Sequence, residues 1–119
     1  MIDSGAWIEY FKGSIVGQKA KLYVEGSEEI IVSAMNMAEV HLFCLRNELA
    51  PNYYLNFILK TAFVVPVSLE IGIAGAITKH INKMGMSDAL ILATARTHNA
   101  RVITGDTDFN GVADVVVIS

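Results

Sequence analysis

At 119 residues the chain has room for one hydrophobic core, and residues 1–119 are expected to form a single domain. Hydrophobic residues make up 53% and charged residues 18%, with a mean hydropathy of +0.45; this excludes a disordered chain and, being unusual for a soluble monomer, points to a face covered by a partner. Nine Lys and Arg against twelve Asp and Glu give a net charge of −3, which argues against a clamp that holds nucleic acid by phosphate contacts alone, and a single cysteine excludes a disulfide framework and a cysteine-based zinc site.

In chain order, Met1 to Ser4 reads as the end of a short strand. Ala6 to Phe11 has apolar residues at helical spacing, so a short helix is expected, ending near Gly13. Gly17 to Val24 reads as a second amphipathic helix closed by Gly26. Ile30 to Val32 is a short β-branched run, expected as a buried strand, and Ser33 offers an N-cap oxygen to a helix over Ala34 to Leu49. Pro51 suits the first turn of the next helix, with Tyr54, Leu55, Ile58 and Leu59 as its apolar stripe. Val64 to Val67 reads as a strand ended by Pro66; Ser68 or Leu69 opens a helix to about Lys83, and Gly85 breaks it. Ser87 is expected to cap a helix over Asp88 to His98, followed by a strand over Arg101 to Thr104, a turn-rich loop over Gly105 to Gly111 and a last strand over Val115 to Ile118. The stretch Thr61 to Thr78 carries Pro66 and Glu70 and is no membrane span, and no leader pattern opens the chain, so a cytoplasmic protein is expected.

Short apolar strands alternating with helices predict parallel pairing by right-handed crossovers. The fold class is therefore α/β, an α/β/α sandwich with a mostly parallel central sheet of about five strands. In such sheets ligands sit beyond the carboxyl ends of the strands. Asp3 follows the first strand there, Asp106 and Asp108 follow the strand that ends at Thr104, and Asp88 lies in the first turn of its helix. Glu39 stands among Met35, Asn36, Leu42, Phe43 and Arg46 on its helix surface, an unusual setting for a carboxylate. Each acid also has an ordinary reading: Asp3 as a helix cap, Asp88 as a dipole partner, Asp106 and Asp108 as turn residues, Glu39 at a solvent edge. Together they converge on one sheet edge. Carboxylates so gathered repel each other unless cations neutralise them, and oxygen donors without His or Cys select Mg²⁺ or Mn²⁺. Two such ions about 4 Å apart support phosphodiester hydrolysis. With four carboxylates committed to a metal, the rest of the chain is no longer acidic, so the net charge does not oppose a metal-dependent nuclease.

At this point the sequence resembles a PIN domain, in particular the VapC-type ribonuclease toxins of prokaryotic toxin–antitoxin pairs. The resemblance spans essentially the whole chain and rests on Ile2-Asp3-Ser4-Gly5-Ala6-Trp7-Ile8-Glu9-Tyr10-Phe11, on Ser33 with Ala38-Glu39-Val40, on the run from Ser87-Asp88 to Thr94-Ala95, and on Thr104-Gly105-Asp106-Thr107-Asp108-Phe109. Their acids are separated by 36, 49 and 18 residues. The resemblance implies an acidic quartet of Asp3, Glu39, Asp88 and Asp106, with Asp108 a variable fifth metal ligand and Ser4 and Thr104 as supporting hydroxyls. It further implies Mg²⁺- or Mn²⁺-dependent endoribonuclease activity on RNA, a homodimer, and inhibition by an antitoxin peptide laid across an apolar groove. Two departures stand out: only two residues precede Asp3, and Gly5 falls where a larger residue is usual, which loosens the first turn.

The alternatives are a housekeeping RNA-processing nuclease and a non-catalytic PIN-like binding module. A phospho-acceptor receiver domain is disfavoured by the placement of its required acids and lysine. His41, His80 and His98 share no spacing with the acids, Cys44 is expected in the core, and Trp7, Tyr10 and Phe11 are expected in the core or a dimer contact rather than stacked on bases. Lys12, Arg46 and Arg96 are minor candidates for phosphate contacts.

Overall fold

Every strand in this protein is three residues long, so helices must supply most of the core. The computed structural model describes all residues, Met1 to Ser119, in the order α1 (Ser4–Lys12), α2 (Ile15–Val24), β1 (Ile31–Ser33), α3 (Ala34–Arg46), α4 (Pro51–Thr61), β2 (Phe63–Val65), α5 (Leu69–Asn82), α6 (Met86–Thr97), β3 (Val102–Thr104), a 3₁₀ turn (Thr107–Phe109) and β4 (Val115–Val117). β1 pairs with β2 and β3 with β4, both in parallel. The segment before α1 joins β3 as a bridge between Ile2 and Ile103, also parallel, with the Ile103 amide donating to the Met1 carbonyl at 2.8 Å and the Asp3 amide to the Ile103 carbonyl at 2.9 Å.

The class is α/β, as expected. The continuous five-strand sheet is instead two hydrogen-bonded pairs and one bridge. The first strand is reduced to that bridge because Asp3, whose amide makes the last ladder bond, is already the N-cap of α1.

Side-chain alternation along these short strands places helices on both faces. Ile2, Val32 and Ile103 point into a cluster with Trp7, Ala20, Val24, Val40, Cys44 and Ile58 from α1 to α4. Met1 and Val102 point the other way, against Ile91, Leu92 and Ala95 of α6, with Ile31 and Val115 packed beside them. Trp7 is fully buried and stacks on Phe11, which meets Tyr54 edge-on at 5.0 Å. α5 lies along α6, where Gly75 faces Leu90 so closely that a Cβ would stand 2.5 Å from it.

Several element boundaries differ from those read off the sequence, each for a local reason. α2 starts at Ile15 because the Ser14 hydroxyl accepts from the Gly17 amide. α3 ends at Arg46, short of Leu49, since Glu48 takes a left-handed backbone with φ 55°. β2 runs from Phe63 to Val65 and stops before Pro66, which has no amide to donate. α6 starts two residues earlier than expected: its N-cap is Gly85, and Ser87 lies inside the helix with a buried hydroxyl that has no partner. Leu59 does not belong to the buried stripe of α4; it is exposed, while Phe57 joins the aromatic group around Trp7 and Phe11. Cys44 is buried, as expected.

Gly17 and Gly5 make opposite demands. A Cβ at Gly17 would lie 2.0 Å from the Glu9 carbonyl oxygen, where α2 packs against the end of α1, whereas a Cβ at Gly5 meets nothing within 4 Å. In chemical denaturation Gly17→Ala is expected to destabilise by about 1–3 kcal/mol through overpacking, and Gly5→Ala to stabilise by about 0.4–1 kcal/mol by reducing the freedom of the unfolded first turn. Equal effects at the two positions would contradict this packing.

Candidate functional site

The strand ends bring the site together. Asp3 follows Ile2 and is 9% exposed, so its carboxylate has lost nearly all its water. Three donors from three elements replace that water. The Ser4 amide donates to Asp3 Oδ1 at 2.9 Å, the Asn36 side-chain amide donates to the same oxygen at 3.2 Å, and the Thr104 hydroxyl donates to Oδ2 at 3.0 Å. Thr104 is the last residue of β3, and its hydroxyl accepts in turn from the Asp106 amide at 3.1 Å. Asp106 then caps the 3₁₀ turn, accepting from the Asp108 amide at 2.9 Å. On the other side, the Ser4 hydroxyl donates to Glu39 Oε1 at 3.1 Å, which ties α1 to α3. One hydrogen-bonded chain therefore runs from Glu39 through Ser4, Asp3, Thr104 and Asp106 to Asp108.

Asp88 enters from α6 without a hydrogen bond, half-buried in the helix's first turn. Its link to the other acids is through charge. Burial raises the Asp88 pKa above the ordinary carboxylate value, and the charges of Asp3, Asp106 and Asp108 raise it further. Burial also raises Glu39, opposed by the Ser4 hydrogen bond and reinforced by the charges of Asp3 and Asp88. Asp3 is raised by burial and by Asp106, against the pull of its three donors. Asp88 thus feels the charges of Asp3, Asp106 and Asp108, and Glu39 those of Asp3 and Asp88, while none of the five acids forms a salt bridge. Asp106 and Asp108 are exposed, and Glu39 and Asp88 are partly so.

The donor set fits a hard divalent cation. Glu39 Oε2, both oxygens of Asp88 and Asp106 Oδ2 accept no hydrogen bond, and Asp3 Oδ2 accepts only one. As the side chains stand, no three of the protein's His, Cys, Asp and Glu residues close around a common point. The acids line one edge without enclosing it.

The remaining candidates are accounted for. Lys12 pairs with Glu9 at 3.7 Å and lies over the Phe43 ring, and Arg96 pairs with Asp114 at 3.2 Å, so both are committed within the fold. Arg46 is exposed and makes no ion pair. His98 Nδ1 lies 3.0 Å from the Thr94 carbonyl. Asn36 is the residue that the search for acids passes over: fully buried, it touches Asp3 directly. Its signals in the sequence were its place one turn before Glu39 and the spacing Ser33-x-x-Asn36, a capping-box pattern.

A family model described as PIN domain matches residues 1–115. No curated protein matches the chain. Among solved structures, a toxin–antitoxin complex from Klebsiella pneumoniae aligns at 26% identity over 99% of this chain and 96% of that one, with a TM-score of 0.83. A VapBC2 complex from Rickettsia felis, bound to a DNA fragment from its promoter, aligns at 15% identity over 98% and 95% of the two chains, with a TM-score of 0.74; at that identity it shows the fold.

The raised Asp88 pKa has a measurable consequence for stability. The folded chain binds a proton at Asp88 more tightly than the unfolded chain does, so this carboxylate costs nothing below the unfolded value near 3.8. The penalty grows as pH rises through the folded pKa and is complete above it. In EDTA at pH 7, Asp88→Asn is expected to raise the melting temperature by about 1–4 °C, discounted for partial exposure, and the gain should vanish toward pH 4. A variant that melts below the native chain at pH 7 would show that repulsion does not dominate at this position.

Proposed function

The chain belongs to the PIN-domain family, and from that premise we propose that residues 1–119 form a single-domain, Mg²⁺- or Mn²⁺-dependent endoribonuclease, the toxin of a toxin–antitoxin pair acting in the cytoplasm. The observation that carries this reading is the gathering of five carboxylates at one sheet edge, four of them along one hydrogen-bonded chain and Asp88 raised by the charges of three others, with no Lys or Arg paired to any of them. Asp3, Glu39, Asp88 and Asp106 would hold the cation, with Asp108 beside them. Once bound, a divalent cation supplies charge neutralisation and lowers the pKa of a coordinated water. Ser4 holds Glu39 by its hydroxyl, and Thr104 holds both Asp3 and the backbone of Asp106, so the two hydroxyls keep acids from three elements in register. The net charge, and a basic surface reduced by the pairing of Lys12 and Arg96, favour RNA held through the cation rather than through a phosphate-binding patch.

Two apolar surfaces support the partners in this reading. A groove of about 380 Å³ between α1, α3 and α4 is lined by Ile8, Phe11, Val40, Phe43, Leu49 and Tyr54, and an antitoxin segment would lie there, one residue along α3 from Glu39. Leu69, Ile73, Ile77 and Ile81 recur every four residues along α5 and are 55–82% exposed, which favours a second copy of the chain against this ridge.

Purified chain is expected to cut structured, end-labelled RNA at discrete positions with Mg²⁺ or Mn²⁺ and not with excess EDTA, and Asp88→Asn to lower the rate at least about 100-fold. Cleavage that persists in both EDTA and the variant would reject the assignment. For the ridge, light scattering should report a dimer, and Ile77→Glu a monomer of unchanged helical content; a native monomer would reject the proposed contact.

A further inference from the structure

We propose that Asn36 is a positioning residue for the acidic centre: its side-chain amide fixes the Asp3 carboxylate so that Oδ1 is fully occupied and one lone pair, on Oδ2, is left for a cation. This rests on the cation-dependent reading above.

Asn36 is fully buried and has two polar ends of opposite character. Its carbonyl oxygen accepts from the Ser33 amide at 3.1 Å, closing the capping box that starts α3. An amide whose oxygen is engaged in this way must present its NH₂ at the other end, and NH₂ only donates. That end meets Asp3 Oδ1 at 3.2 Å. The Ser4 amide occupies the other lone pair of Oδ1, and the Thr104 hydroxyl one of the two on Oδ2.

The capping box alone does not explain asparagine. The usual residue at this position is Glu or Gln, and Glu would serve the Ser33 amide while placing a second carboxylate against Asp3. Asn meets both requirements: an acceptor toward Ser33 and a donor toward Asp3. The start of α3 thereby sets the orientation of a carboxylate 33 residues earlier in the chain. Groups that orient metal ligands from behind typically change metal affinity by about 10–100-fold when removed.

Calorimetric titration of Mn²⁺ into the full chain at fixed pH tests this, with Asn36→Leu, Asn36→Ser and Ser33→Ala alongside the native protein. Asn36→Leu removes both bonds. In Asn36→Ser a single hydroxyl oxygen replaces two separately placed polar ends, which keeps a smaller, polar residue should the leucine variant fail to fold. Ser33→Ala removes the reciprocal cap to the Met35 amide and leaves the Asp3 contact in place, so it reports the cost of a weakened helix start by itself. Both Asn36 variants are expected to weaken Mn²⁺ binding by about 10–100-fold, and Ser33→Ala by no more than about twofold. A folded Asn36 variant that binds Mn²⁺ within twofold of the native chain overturns the inference, as does a Ser33→Ala loss equal to that of the Asn36 variants. A native chain that binds no Mn²⁺ overturns the cation-dependent reading itself, a result distinct from native binding that the Asn36 variants leave unchanged.

Discussion

The structure is organised around one carboxylate that has been taken out of water. Desolvating an ionised Asp costs several kcal/mol unless hydrogen bonds replace the lost solvent. At Asp3 the replacement comes from the Ser4 amide, the Asn36 side chain and the Thr104 hydroxyl, each on a different element. Hydrogen bonds to a charged group are worth about 1.5–3 kcal/mol each, so three of them are on the scale of the penalty. They also act as tertiary links. Through Asp3, the start of α1, the start of α3 and the end of β3 are held to one point, and the first chain segment is held to β3 by its ladder bonds at the same place. The centre of the site and the junction of the fold are the same residue.

This arrangement explains why such short strands suffice. Three residues of ladder give little cooperativity, yet the first segment, β1, β3 and β4 each send one side chain to the α1–α4 side and a neighbour to the α6 side, so both faces are covered; in β2 only Val65 is buried. The helices bring their own reinforcement, with α2 against α1 at Gly17 and α5 against α6 at Gly75. The sheet mainly fixes where the strands end, and it is at those ends that Asp3, Thr104 and Asp106 are delivered.

Much of this was legible in the sequence where the signal was local. Ser33 and Ser68 cap the helices that follow them, and Pro51 opens α4, because a capping oxygen or a fixed φ acts within a few residues. The start of α6 was misread for a related reason. Gly85 and Ser87 are both acceptable at an N-cap, and the register is chosen by Ala89, Ile91 and Leu92 entering the core and by Leu90 meeting Gly75, none of which is local. The pairing of the strands was equally hidden, since three β-branched residues carry no register of their own. The acids could be found because an α/β reading put them at strand ends and helix starts on one edge and their order matched a family, while the bonds that tie them together come from long-range contacts. Asn36 was visible as a neighbour of Glu39, but its bond to Asp3 spans 33 residues and leaves no periodicity to read.

The distribution of apolar surface follows from the same division between local and long-range demands. A chain with 53% hydrophobic residues leaves many large side chains outside its core, and they are not scattered evenly. One group, Leu69, Ile73, Ile77 and Ile81, lies along α5, a helix whose other side is spent on α6. A second apolar surface is the groove where α1, α3 and α4 meet, lined by the half-buried Phe11, Phe43 and Tyr54 with Leu49 exposed at its rim. These two surfaces differ in their relation to the acids. The groove contains Val40, the residue next to Glu39, and borders α1, whose first residue holds Glu39 by its hydroxyl. A segment filling the groove would therefore press on the two helices that the Ser4–Glu39 bond joins, whereas a copy seated on α5 would reach the acids only through α6 and Asp88. The groove thus adjoins the acidic edge directly, through Val40 and α1, whereas the ridge is separated from it by a helix that contributes one acid and no hydrogen bond to the network.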